Sequence, residues 1–215
     1  MTRLVLRLAQ LLVGLVVYGL TMALLVRSGL GLDPWDVFHE GVALRLPLTF
    51  GQVVIATGAV VLLLWIPLRQ RPGVGTVANV VVIGLAADAG LAVLPTPDAL
   101  AWQVTYLVAG IVGNGIGGAL YIGARLGPGP RDGLWLALVE RTGRSVRFWR
   151  TTIEVTVLVI GFLLGGTVGV GTVAYALTIG QVVQTVLPRV DHGLATVTGH
   201  GRGAPPKGLR THPHT

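Results

Sequence analysis

The chain contains no cysteine, which excludes disulfides, thiolate catalysis and any metal site built on sulfur. Charge is scarce as well: 12% of its 215 residues are Asp, Glu, Lys or Arg, about half of the roughly 25% found in soluble domains. Lysine is almost missing, with Lys207 the single one among 16 basic residues. So small a polar supply excludes a water-soluble globule. What fills the sequence instead is 52% hydrophobic residues and 32 glycines, with a mean hydropathy of +0.74. The apolar residues come in long blocks rather than alternating, which excludes a transmembrane barrel and leaves an all-α integral membrane protein. A net charge of +7 would suggest nucleic acid in a soluble protein. Here the arginines stand between apolar blocks, so the lipid bilayer is the expected partner and nucleic acid is not.

Six runs have the length of about 17–25 residues that a spanning helix needs: Leu4–Val26, Phe50–Leu68, Val74–Leu94, Ala99–Ala124, Phe148–Gly166 and Val168–Leu187. Between them lie two segments, Asp33–Leu48 and Gly129–Ser145, that are partly apolar but broken by charge. A helix of about twelve residues is roughly 18 Å long, short of a hydrocarbon core of about 30 Å. Each segment is expected to form a short interfacial or re-entrant helix. With the N-terminus in the cytoplasm, 14 of the 16 basic residues fall inside and only Arg27 and Arg45 outside. That satisfies the positive-inside rule, and places both termini in the cytoplasm of a bacterium with the protein in its plasma (inner) membrane. The first span is longer than a signal-peptide core and has an internal counterpart, so it is expected to belong to the mature fold.

That counterpart is part of a repeat. The hexapeptide GVGTVA at Gly73–Ala78 recurs at Gly169–Ala174, an offset of 96, and Ile83-Gly84 recurs as Ile179-Gly180. The same offset carries Gly19 to Gly115, Pro34 to Pro130 and Asp36 to Asp132; around the second and fifth spans the match drifts by a few residues. Three spans per repeat is an odd number, so the second half is expected to sit inverted relative to the first. The expected organisation is residues 1–96 as one membrane repeat, 97–188 as its inverted mate, and 189–215 as a disordered basic tail.

The segment Leu30–Asp36, reading LGLDPWD, and the glycine-rich opening of the third span at Gly73–Ala78 resemble the YczE/YyaS/YitT family of bacterial integral membrane proteins. The resemblance spans roughly residues 8–190 and implies a polytopic protein of the bacterial membrane; it implies no particular activity. In the second half the signature reads LGPGPRD over Leu126–Asp132, with Arg131 where Trp35 stands.

Candidate binding residues follow from polarity in unexpected places. Asp33 at an N-cap position, Pro34 at the first helical position and Asp36 two residues on, mirrored by Gly129, Pro130 and Asp132, have the pattern of a helix start. Two readings stay open: Asp36 and Asp132 serve as caps, or the two starts present free N–H groups to an anionic ligand, with Trp35 and Arg131 facing different compartments. Asp88 is the only acid well inside a span and is the candidate for any ion coupling; its mate is Gln184. Asn79, Asn114, Gln181 and Gln184 are either interhelical glue or substrate contacts. Arg150 and Glu154, one turn apart, read as an ion pair. The five tryptophans, at 35, 65, 102, 135 and 149, read as an interfacial belt. The four tail histidines, His192, His200, His212 and His214, lack the spacing of a metal site. With no HExxH motif, no Ser/His pair within a span and His39 the only histidine outside the tail, neither an enzyme nor a resident cofactor or metal is expected. The functional expectation is a small secondary transporter or exporter of a small molecule or ion. The alternative is a non-transporting accessory protein, a homodimer or the companion of another membrane protein.

Overall fold

A computed structural model of the chain describes residues 2–192, and every regular element among them is helical. The eight helices are α1 (Thr2–Ser28), α2 (Pro34–Ala43), α3 (Phe50–Leu68), α4 (Val74–Val93), α5 (Leu100–Gly123), α6 (Pro130–Thr142), α7 (Val146–Leu163) and α8 (Val170–Val190). Their starts are written locally. Thr49 and Gln52 form a capping box ahead of α3, Asp33 caps α2 ahead of Pro34, and Ser145 caps α7. Five helices (α1, α3, α4, α5 and α8) are long and apolar enough to cross a membrane. The expected sixth span, α7, is not among them, because Arg147, Arg150 and Glu154 fall within its 18 residues.

α1 and α5 cross antiparallel at the centre, where small residues let the backbones touch. A Cβ on Gly14 would lie 2.7 Å from Tyr121 N, and one on Gly110 would lie 2.6 Å from the Leu25 side chain. α4 packs on α1 through Gly19 and Gly90, and α8 packs on α5 through Gly115 and Gly123. α2 lies on α7, where Gly161 meets Val37 and Phe38; α6 lies on α3, where Gly133 makes room for the ring of Trp65. The offset of 96 relates the two contacts of each pair: Gly19–Ile83 becomes Gly115–Ile179, and Val37–Gly161 becomes Gly133–Trp65 when 96 is added to the first residue and subtracted from the second. Helix starts obey the same offset: Pro34 and Pro130, Phe50 and Val146, Val74 and Val170. The drift expected around the second and fifth spans is thus confined to side-chain identity.

The two GVGTVA segments clasp opposite halves. Gly75 donates its N–H to Leu126 O at 2.8 Å, and Gly171 donates to Leu30 O at 2.7 Å. The loops they hold turn at Gly31 (φ +113°) and Gly127 (φ +134°), in the region that favours glycine. One contact breaks the correspondence. α3 packs against α4 with Gly84 on the Gly51 carbonyl, whereas α7 and α8 have no contact of similar extent and Gly180, the mate of Gly84, faces open space.

Two sequence expectations are corrected here. Trp35 and Trp65 do not belong to an interfacial belt: they are 6% and 2% exposed and share a core cluster with Val61 and Leu134. The Trp65 indole donates to Pro130 O at 3.1 Å, so it ties α3 to the start of α6. The tail also begins later than Arg189. Arg189 and Val190 complete α8, Asp191 takes a two-point ion pair from Arg125 at 2.6 and 2.7 Å, and His192 donates its backbone N–H to Gly123 O. His200, His212 and His214 lie outside the described residues.

Candidate central binding site

The starts of α2 and α6 come together in the middle of the molecule. At α2, Asp33 accepts hydrogen bonds from Trp35 N (2.9 Å) and Asp36 N (3.2 Å), and Pro34 supplies the first helical position without a spare donor. At α6, Pro130 does the same after Gly129, which has no side chain to cap with. The Arg131 guanidinium lies over the Trp35 indole, 4.8 Å from the ring centroid, a cation–π contact. Trp35 and Arg131 are 96 residues apart, so equivalent positions of the two halves touch each other. The same is true of Tyr18 and Asn114, whose side-chain amide donates to Tyr18 O at 3.3 Å.

A cavity of about 190 Å³ occupies this meeting point. Tyr18, Trp35 and Asn79 from the first half and Asn114, Arg131 and Tyr175 from the second line it. Tyr175 donates its hydroxyl to Asn114 Oδ1 at 2.7 Å and holds the amide in place. The rest of the wall mixes aliphatic side chains, Val54, Val61, Val80, Ile83 and Ile179, with Asp33, His39, Tyr121, Asp132 and Trp135, and the cavity reaches the ion pair Arg150–Glu154 (2.8 Å) on α7.

Charge in this wall is unevenly matched. Asp36 is fully buried and holds His39 Nδ1 at 3.1 Å through Oδ1, leaving Oδ2 unpartnered. Burial pushes the carboxyls of Asp33 and Asp36, both outside the spanning runs, above the usual range; Asp36 adds to the rise at Asp33, and Arg131 opposes it at both. Asp132 accepts a long 3.5 Å bond from the Tyr121 hydroxyl. Among the described residues the ion pairs are His39–Asp36, Arg125–Asp191 and Arg150–Glu154, so Arg131 has no carboxylate within 4.0 Å. The indole N–H of Trp35 is also buried without a partner.

Of the residues singled out from sequence, Asp33, Trp35, Asn79, Asn114, Arg131 and Asp132 line the cavity, and Asp36 stands behind it through His39, which does. Asp36 is not the cap of α2; Asp33 is. Asp88 lies elsewhere: its carboxylate accepts from Thr49 Oγ1 (2.5 Å) and Gly51 N (2.7 Å) and fastens the start of α3 to α4. Gln181 and Gln184 are exposed, on a different face of α8 from the lining residues Ile179 and Val183. Tyr18, Tyr121 and Tyr175 were not anticipated. A signal for two of them exists in the offset, which pairs Tyr18 with Asn114 and Asn79 with Tyr175.

Comparison with known proteins agrees with a polytopic membrane protein. An uncharacterised protein of Haemophilus influenzae is 39% identical over 185 residues, 85% of each chain. The uncharacterised membrane protein YczE of Bacillus subtilis is 31% identical over 209 residues, 94% of this chain and 97% of its own. YyaS, an uncharacterised protein of the same organism, is 25% identical over 183 residues, 83% of this chain and 91% of its own. No solved structure matches. Residues 5–188 match the family described as "Family of unknown function (DUF6198)", a stretch that holds both helix starts, both GVGTVA segments and the whole cavity wall, and the chain belongs to that family.

Proposed function

We propose that the protein is a small secondary transporter or exporter of the bacterial plasma membrane, built from two inverted halves that take turns in opening one central cavity. The observation that carries this reading is the cavity itself. It is walled by both halves at the point where two broken-off short helices begin, which is where transporters of inverted-repeat design bind their solutes. The correspondence by 96 of helix starts, helix contacts and the Gly75 and Gly171 hydrogen bonds supports the inversion.

In this reading α7 is the sixth span despite its charges. Arg150 and Glu154 pair with each other at the cavity, and the rest of α7 offers Val155, Val159, Ile160, Phe162 and Leu163, all exposed, to lipid. Both termini then lie on the cytoplasmic side with most of the arginines. The closed α3–α4 contact and the parted α7–α8 pair are the asymmetry that alternation needs, since one seam is shut while the other stands open.

Counterflow tests the reading. Proteoliposomes loaded with mixed carboxylates, amino acids or amines are diluted into a radiolabelled trace of each class. Protein-dependent accumulation of at least one class is the expected result. Folded protein that exchanges none of them would overturn the transporter reading.

A further inference from the structure

The starts of α2 and α6 are matched by position but not by chemistry. At α2 the Asp33 carboxylate takes the N–H groups of Trp35 and Asp36. At α6 the equivalent residue is Gly129, and no side chain caps the amides of Arg131 and Asp132. Uncapped amides at a helix start attract an anion, although a helix start alone selects nothing. Two further observations point to a ligand here. The Arg131 guanidinium acts on Asp33 and Asp36 only at a distance and has no carboxylate within ion-pair distance among the described residues, so its N–H groups are open to a direct anionic partner. Trp35, 6% exposed and part of the same wall, keeps a buried indole N–H with no acceptor.

A Cβ placed on Gly129 would lie 3.0 Å from Asp132 Oδ2, 3.4 Å from the Tyr121 hydroxyl and 3.8 Å from Asn79 Nδ2. The neighbours of that position are thus one acceptor, a hydroxyl that donates to it, and one amide donor, Asn79 Nδ2. Asp132 stands beside it as Asp36 stands beside Asp33, a pair of carboxyls that burial pushes up and Arg131 opposes. A volume of about 190 Å³ equals roughly six waters and falls below the 300–1,000 Å³ or so of drug-sized pockets. The aliphatic side chains opposite, Val54, Val61, Val80 and Ile83, suit a short hydrocarbon body.

We propose, building on the transporter reading, that the cavity binds a small aliphatic monocarboxylate. Its carboxylate takes at the start of α6 the place that the Asp33 side chain takes at the start of α2, with Arg131 as its counter-ion.

The test is the melting temperature of the full chain in detergent, measured in sodium butyrate, sodium chloride and n-butylammonium chloride at equal ionic strength. Butyrate is expected to raise it in a saturable way, and butylammonium to leave it at the chloride value. Arg131→Gln should weaken the apparent butyrate affinity by about tenfold or more, the loss of one charge-assisted hydrogen bond. Gly129→Asp supplies the missing cap from within. The backbone there (φ −59°, ψ 153°) is open to any residue, and the Asp132 side chain yields a few tenths of an ångström to the new Cβ, so this variant should fold and ignore butyrate. The proposal is overturned if butyrate leaves the wild type unmoved, if butylammonium stabilises it as well as butyrate does, or if Gly129→Asp responds like the wild type. Should both variants fail to fold, the wild-type comparison of anion with cation still decides. Butyrate binding without counterflow of any solute would leave this site standing and remove the transporter reading. Counterflow of an amine without a butyrate shift would do the reverse.

Discussion

Gly84 and Gly180 occupy the same place in the repeat and are preceded by the same isoleucine, yet their surroundings differ. A Cβ on Gly84 would sit 2.5 Å from the Gly51 carbonyl oxygen, while one on Gly180 would meet nothing within 4 Å. Gly84→Ala should therefore force α3 away from α4 and cost about 1–3 kcal/mol, as overpacking does. Gly180→Ala should be neutral or stabilising by up to about 1 kcal/mol, through helix propensity alone. Thermal melts of the two variants in detergent check the pair. Equal behaviour would mean that the α3–α4 seam is no tighter than its counterpart between α7 and α8. Neither the sequence nor the repeat distinguishes these glycines, because what differs is the neighbour and not the residue.

Short helices are decided at their first turn, and α2 owes its start to Asp33. Removing that carboxylate in Asp33→Ala leaves two buried N–H groups without an acceptor and should cost about 0.5–2 kcal/mol. Asp33→Asn keeps an acceptor oxygen and should lose only a fraction of that. A melting series of the two variants reads the order, and an equal loss for Asn and Ala would show that Asp33 acts through its charge instead. Capping of this kind is legible from sequence, since Asp before Pro acts over three residues. The spans were legible for the same reason: Phe50–Leu68 follows from a run of apolar residues bounded by a capping box and an Arg turn. What could not be read was which way a side chain turns. Trp35 and Trp65 lie where a belt residue would, but their burial depends on Val61, on Leu134 and on the absence of a side chain at Gly133. The cavity wall was half legible. Asn79 stands out as a polar residue in apolar company and Arg131 as the mate of Trp35 in the repeat, whereas tyrosines pass unnoticed in any membrane sequence until Asn114 shows what Tyr175 is bonded to.

At the scale of the molecule, inversion makes a demand that two labels can check. Leu46 follows α2 and is exposed, and Arg144 follows α6 and is exposed. Cysteines placed there, the only thiols in the chain, should react with a membrane-impermeant maleimide from opposite faces in whole cells and inside-out vesicles. Labelling of both from one face would require an even number of crossings between them and would leave the sequence repeat without its inverted partner.

The meeting of Trp35 with Arg131 bears on why the two halves share one chain. A protein assembled from two copies of either half would bring each of these positions against its own kind: indole on indole, or guanidinium on guanidinium. Two like cations about 5 Å apart repel by roughly 3 kcal/mol even at an effective dielectric of about 20. An odd charge at the contact point of identical subunits therefore meets its own kind, a repulsion that two unlike halves of one chain avoid.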